Sequence, residues 1–264
     1  MRGGHKCSIV RDPAADHWPF TIRAAMNSRF PGFSPEAIKF LRNLARNNKR
    51  EWFQPRKQQY EELIKAPMVQ LVECLNNQFA EFAPQYVTLP QKAVFRIYRD
   101  TRFSANKTPY KTHVAAIFPL QNTPKNYGSA FYFHFSAKEL LVFGGVWSPE
   151  REELLAIRTL LQESYQEFQK LLRDRKLRSA IGELKGDELT RMPAGFLVDH
   201  PAESLIRKKQ WYLETTVDVA LITTPRLLPE LVKYFRLMMP LVDFLNRPFM
   251  RKAEKPKKLM FMAF

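Results

Sequence analysis

Cysteine is scarce: the 264 residues hold only Cys7 and Cys74. Two thiols cannot build the disulfide framework of a small secreted domain or a Cys-rich zinc site, and their sparse use suits a reducing cytoplasm. Long apolar runs are missing too. No stretch reaches the roughly 18 apolar residues that a spanning helix needs. Residues 1–20 lack the continuous apolar centre of a signal peptide. The chain reads as soluble and cytoplasmic, with no membrane partner. There is no internal repeat and no low-complexity segment. Acidic residues are in deficit, because 26 Asp and Glu face 42 Lys and Arg and leave a formal net charge of +16. A field of that sign gathers nucleic acid, acidic headgroups or phosphorylated metabolites, and does not choose among them.

What is present suits a globular protein. Hydrophobic residues make up 45% of the chain and phenylalanine alone takes 21 positions, enough for a core without metal or disulfide staples. Residues 1–29 mix Gly, Pro and charge without periodicity and read as a loose basic arm, within which Met26 offers an alternative start. From Ser34 the pattern changes. Ser34 can cap, Pro35 suits a first helical turn, and Ala37, Ile38, Leu41, Leu44 and Ala45 share a helical face. A second helix is expected around Tyr60, Leu63 and Ile64, and a third from Pro67 with Met68, Leu71, Val72, Leu75, Phe79 and Phe82 as its stripe.

Residues 93–98, 113–118, 129–136 and 139–146 are short, aromatic and β-branched, and predict strands joined mostly antiparallel. A long helix follows Ser148-Pro149-Glu150, residues 183–210 look irregular, 211–217 reads as a further strand, and a last helix from about Pro229 should kink or end at Pro240. Helices, then strands, then helices predict an α+β fold: a central, mostly antiparallel sheet of four to five strands with N-terminal and C-terminal helices packed on it. The expected organisation is an arm at 1–29, one α+β domain at 30–249 and a basic tail at 250–264.

The segment 96–111, RIYRDTRFSANKTPYK, carries five cations, Arg96, Arg99, Arg102, Lys107 and Lys111, against the single carboxylate Asp100. On a regular 93–98 strand, Arg96 and Tyr98 would share one face while Phe95 and Ile97 enter the core. Two unpaired cations about 5 Å apart repel by roughly 3 kcal/mol at an effective dielectric near 20. Converging guanidiniums therefore require an anion, whereas splayed ones require nothing. Arg supplies a planar fork and Lys a point charge for phosphate or carboxylate. No glycine lies between Arg96 and Lys111, which excludes a Gly-rich backbone cradle here. The alternative is a salt-bridged loop in which Asp100 organises Arg99 or Arg102.

This string, preceded by FPGFSPEAIKFLRNLARNNKREWF and followed by FGGVWSP and RMPAGF, resembles the domain of unknown function 2461 family of bacterial hypothetical proteins, from Phe30 to about Phe249. The family signature, Arg-x-x-Arg-Asp-x-Arg-Phe followed by Asp or Asn, Lys and Tyr, falls on Arg96, Arg99, Asp100, Arg102, Phe103, Asn106, Lys107 and Tyr110. The resemblance implies no activity. A signature so rich in charge does favour a binding role, and the expected anion site is Arg96, Arg99, Asp100, Arg102, Lys107, Tyr110 and Lys111.

Three readings stay open: a domain that grips a phosphate-bearing small molecule or nucleotide, an enzyme acting on a phosphorylated substrate with Asp100 or Tyr110 as acid or base, and a weak, non-specific nucleic-acid binder. Asp100 would make a poor base, since flanking Arg residues lower its pKa. No cofactor is implied. His113 and His200 lack metal-ligand spacing, so no metal is expected. Phe131, Phe133 and Phe135 alternate as a buried sheet face does, with Tyr132 and His134 on the opposite face, where they could share a cleft with Arg96. Gly144-Gly145 reads as a bulge or turn, and Ser104 has no local His partner.

Overall fold

The computed structural model describes residues 29–253 apart from Asn126. Residues 1–28 of the arm and 254–264 of the tail lie outside the described residues. Helix α1, Pro35–Arg46, begins where Ser34 Oγ accepts the Ala37 N–H at 3.2 Å, and it buries Ala37, Phe40, Leu41 and Leu44. After a short break the chain is helical almost without interruption from Arg50 to Phe82, through α2 (Arg50–Phe53), α3 (Lys57–Tyr60), a π turn at Glu61–Lys65 and α4 (Ala66–Phe82). The expected second and third helices are thus one run. Pro67 has no N–H for the Leu63 carbonyl, and the backbone widens into the π turn just ahead of it.

The expected strand at 93–98 is absent. Pro90 opens a one-turn helix α5, Pro90–Ala93. Beyond it only isolated bridges form, Val94 with Ala116 and Tyr98 with Tyr110. The segment pairs first with the sheet edge and then with its own return, so no continuous ladder can build. Ile97 enters the core as expected, while Phe95 is only half-buried.

Among the described residues the sheet has four strands in chain order, all antiparallel: β1 Val114–Pro119, β2 Ala130–Phe135, β3 Leu140–Val146 and β4 Trp211–Val217. Between β3 and β4 run α6 (Arg151–Glu163), α7 (Tyr165–Leu172), α8 (Arg175–Ala180) and α9 (Glu203–Ile206). Glu150 caps α6, in a reciprocal box with Glu153. The last element of the described residues is α10, Leu227–Ala253. α10 does not end at Pro240: the helix runs on through both Pro240 and Pro248. An interior proline costs about 3 kcal/mol. Met238, Leu241, Val242, Phe244 and Leu245 are buried on both sides of Pro240, and each contributes roughly 1.5–3 kcal/mol by burial, which outweighs that cost.

One face of the sheet lies on α4 and α10. Phe79 of α4, Phe118 and Phe131 of the sheet and Phe235 of α10 form a cluster with ring centroids 4.8–6.2 Å apart. Phe131, Phe133 and Phe135 are all fully buried, as their alternation predicted. Gly144-Gly145 makes neither bulge nor turn, since both residues keep register in β3. A side chain at 144 would press on Met238 of α10 at 2.8 Å, so this glycine lets helix and sheet meet.

A polar knot fixes α10 on the start of β2. Buried Asn246 accepts the Ser129 N–H at 2.7 Å and donates to the Ser129 carbonyl at 2.7 Å and the Tyr86 hydroxyl at 2.8 Å. Leucine there fills similar space and leaves those groups unpaired, each at about 1–3 kcal/mol. Asn246→Leu is expected to lower stability by about 3 kcal/mol, read as a fall in the urea midpoint at unchanged slope.

Candidate functional site

The chain from Val94 to Lys111 leaves the edge of β1 and doubles back on itself. The Phe95 N–H bonds to the Ala115 carbonyl at 2.9 Å, then Arg99 N–H to the Pro109 carbonyl at 2.9 Å and Lys111 N–H to the Ile97 carbonyl at 2.8 Å. These bonds close the base of a loop over 100–108. Asn48, just after α1, holds that base from the side: Nδ2 donates to the Tyr110 carbonyl at 2.9 Å and Oδ1 accepts the Tyr110 N–H at 3.0 Å. The Tyr110 ring is buried and stacked on Phe53 at 4.1 Å. Burial raises its phenol pKa, followed by the influence of Tyr98, with Arg50 and Gln54 opposing.

The five cations of the segment do not meet at one point. Arg102 forks onto Asp100 through Nε at 3.1 Å and Nη2 at 2.7 Å, and its N–H also donates to Asp100 Oδ1 at 3.2 Å. Those bonds hold the Asp100 carboxyl at a pKa of about 2. Of the two partners considered for Asp100, Arg102 is the one it takes. Arg99 is held by neutral groups, Thr108 Oγ1 at 2.5 Å and Ser104 Oγ at 3.4 Å. Thr108 is in turn fixed by Asn106 Oδ1, which accepts from its N–H at 3.0 Å and its hydroxyl at 2.8 Å. Lys107 Nζ rests on the Thr101 carbonyl at 2.9 Å. Arg96 is exposed and lines neither of the two cavities beside this segment. Phe103, at the loop tip, is 95% exposed.

The first cavity is an open cleft of about 720 Å³ between the loop and the α1–α2 junction. Lys49, Arg50, Arg99 and Lys107 line it, with Glu51 as its one carboxylate. Among the described residues none of these four cations has a carboxylate oxygen within 4 Å. The sequence reading passed over Lys49 and Arg50. Their signal was a basic pair directly after Asn47-Asn48, where α1 stops.

Lys111 sits on the other side of the segment, 4.7 Å from the Phe95 ring centroid, and burial followed by Arg96 lowers its pKa. Tyr132 and His134 do lie on the opposite sheet face from the buried phenylalanines, and they line a second cavity with Phe95 and Lys125 but without Arg96. His113 packs on His134 at 5.0 Å between ring centroids. Among the described residues no group of three or more His, Cys, Asp or Glu side chains could hold a metal, and no helix is long and apolar enough to cross a membrane.

Fold and site together define an α+β protein whose antiparallel sheet carries a cationic loop at its edge. The family model described as "Conserved hypothetical protein (DUF2461)" matches residues 36–244, and the chain belongs to that family. No curated protein and no solved structure matches it.

His113, packed on His134 beside the second cavity, gives the fold a pH signature. Burial, then His134 and Lys111, lower its pKa from the ordinary 6.5 to about 4, with Glu139 opposing. The unfolded chain binds this proton before the folded one does, so stability is lost as pH falls from about 6.5 to about 4 and no further below that. His113→Gln is expected to flatten that part of the profile, measured as the change in Tm between pH 7 and pH 4.5 for both proteins.

Proposed function

We propose that this protein binds the phosphate or carboxylate group of a small molecule or nucleotide in the cleft between the α1–α2 junction and the 98–110 loop. One observation carries the reading: four cations face one opening with a single carboxylate among them. Arg99 and Lys107 of the basic segment are the principal ligands, and Lys49 and Arg50 complete the set from the opposite wall. Thr108 and Ser104 orient the Arg99 guanidinium without neutralising it, which leaves its charge available to a ligand. Holding donors in place before binding lowers the entropy lost on binding. Arg102 contributes less, because Asp100 already answers its charge. Asp100 positions Arg102 rather than transferring a proton, since a carboxyl held near a pKa of about 2 is a weak base.

The test is thermal stabilisation by phosphate, pyrophosphate and ATP. A ligand at one hundred times its Kd adds about 2.7 kcal/mol, or roughly 5–10 °C for a domain of this size. Arg99→Gln with Lys107→Gln is expected to abolish the shift, and Arg102→Gln to retain it. Equal shifts in the wild type and the double variant would count against the cleft. In the same assay Asp100→Asn is expected to leave the fold intact and raise anion affinity modestly, about twofold to fivefold, because a negative charge that repels the anion is removed from the loop.

A further inference from the structure

The outward face of the sheet departs from what an uncovered antiparallel face normally shows, which is polar residues alternating with the buried ones. Register places Ile117, Tyr132, Phe143 and Glu214 side by side across the four strands, and His134 beside Leu141 in the next outward row. Phe143 stands edge-on to Tyr132, with centroids 6.2 Å apart and planes at 89°, and stacks on Tyr212 at 5.1 Å and 26°. Trp147 reaches the same group, 6.1 Å from Phe143, and is 61% exposed. A cavity of about 440 Å³ lies on this face, walled on one side by Phe95 and Lys125. That volume is within the range of small-molecule sites, roughly 300–1,000 Å³.

Charge at that wall is unanswered. Lys125 Nζ lies 3.8 Å from the Phe95 ring centroid and Lys111 Nζ 4.7 Å from it. Lys125 also donates to the Lys92 carbonyl at 2.9 Å. Among the described residues neither lysine has a carboxylate within 4 Å. Burial and, after it, Lys111 lower the Lys125 pKa, as expected for an ammonium group short of negative partners. The acid of the cavity, Glu214, is already matched by Lys185 at 3.1 Å. His134 Nδ1 is buried with no hydrogen-bond partner among the described residues, while Nε2 lies 3.3 Å from Glu139.

We propose that this face is a second binding site, separate from the cationic cleft, for a small planar aromatic molecule carrying one anionic group, with the ring system on Tyr132, Phe143 and Trp147 and the anion at Lys125. Aromatic surfaces favour a flat partner by stacking and edge contacts. A half-buried ammonium group favours a carboxylate or phosphate over a neutral substituent of the same size. The proposal draws on no residue of the cleft.

Isothermal titration with naphthalene-2-carboxylate, 2-naphthyl phosphate and the neutral naphthalene-2-methanol tests it. At least one of the two anions is expected to bind about tenfold or more tightly than the alcohol, and the better one identifies the anionic group preferred. Lys125→Met should remove that preference, and Trp147→Ala should weaken all three ligands. Trp147 is exposed and Lys125 half-buried, and a melting curve confirms each fold. The Arg99→Gln, Lys107→Gln protein should bind as the wild type does, so the two sites succeed or fail separately. Equal affinity for acid and alcohol in the wild type, an unchanged preference in Lys125→Met, loss of binding in the cleft variant, or no heat from any of the three at millimolar concentration would each overturn the proposal.

Discussion

Asn48 and the Tyr110 backbone make the bond pair on which the site depends. The loop between Arg99 and Pro109 has no strand beside it, so its peptide groups need partners from elsewhere. A single side chain supplies both a donor and an acceptor to Tyr110, much as a neighbouring strand would. Because Asn48 lies between α1 and α2, the same contact sets the distance between Lys49 and Arg50 on one wall and Arg99 and Lys107 on the other. The stack of Tyr110 on Phe53 makes that distance rigid by tying it to the core.

The sheet gives the loop something stable to project from. Its inner face is closed by α4 and α10, with Gly144 permitting close approach and Asn246 joining α10 to β2. Its outer face remains aromatic and partly open, and the 94–111 segment runs between that face and the cleft. The segment thus borders two cavities of different character. Phe95 and Lys125 line a largely apolar cavity, whereas Arg99 and Lys107 line a cleft open to water.

Much of the fold was legible because local signals agreed with tertiary packing. Ser34 with Pro35 marked the start of α1, the alternation of Phe131, Phe133 and Phe135 gave the buried face of β2, and the 211–217 strand matches β4 at both ends. Where local and tertiary effects disagreed, local reading failed. Of the two outcomes Pro240 allowed, an end to the helix is not the one observed, because the core on either side carries α10 past it. The 93–98 stretch has strand composition, yet Pro90 commits its beginning to a helical turn and its remainder divides between two partners. Of the candidate cleft, the sequence shows one wall and not the other. Charge excess marked the 96–111 segment, but a one-dimensional count gives all five cations equal weight. Only the fold pairs Arg102 with Asp100, turns Lys111 towards Phe95 and brings in Lys49 and Arg50 from about fifty residues away.

The central claim is that an anion settles between the two walls that Asn48 joins. Crystals soaked in tungstate, a phosphate-like anion with a strong anomalous signal, locate it directly. The geometry predicts a peak in contact with Arg99 and Lys107 and facing Arg50. A map with tungstate bound elsewhere on the protein and nothing in that cleft would contradict it.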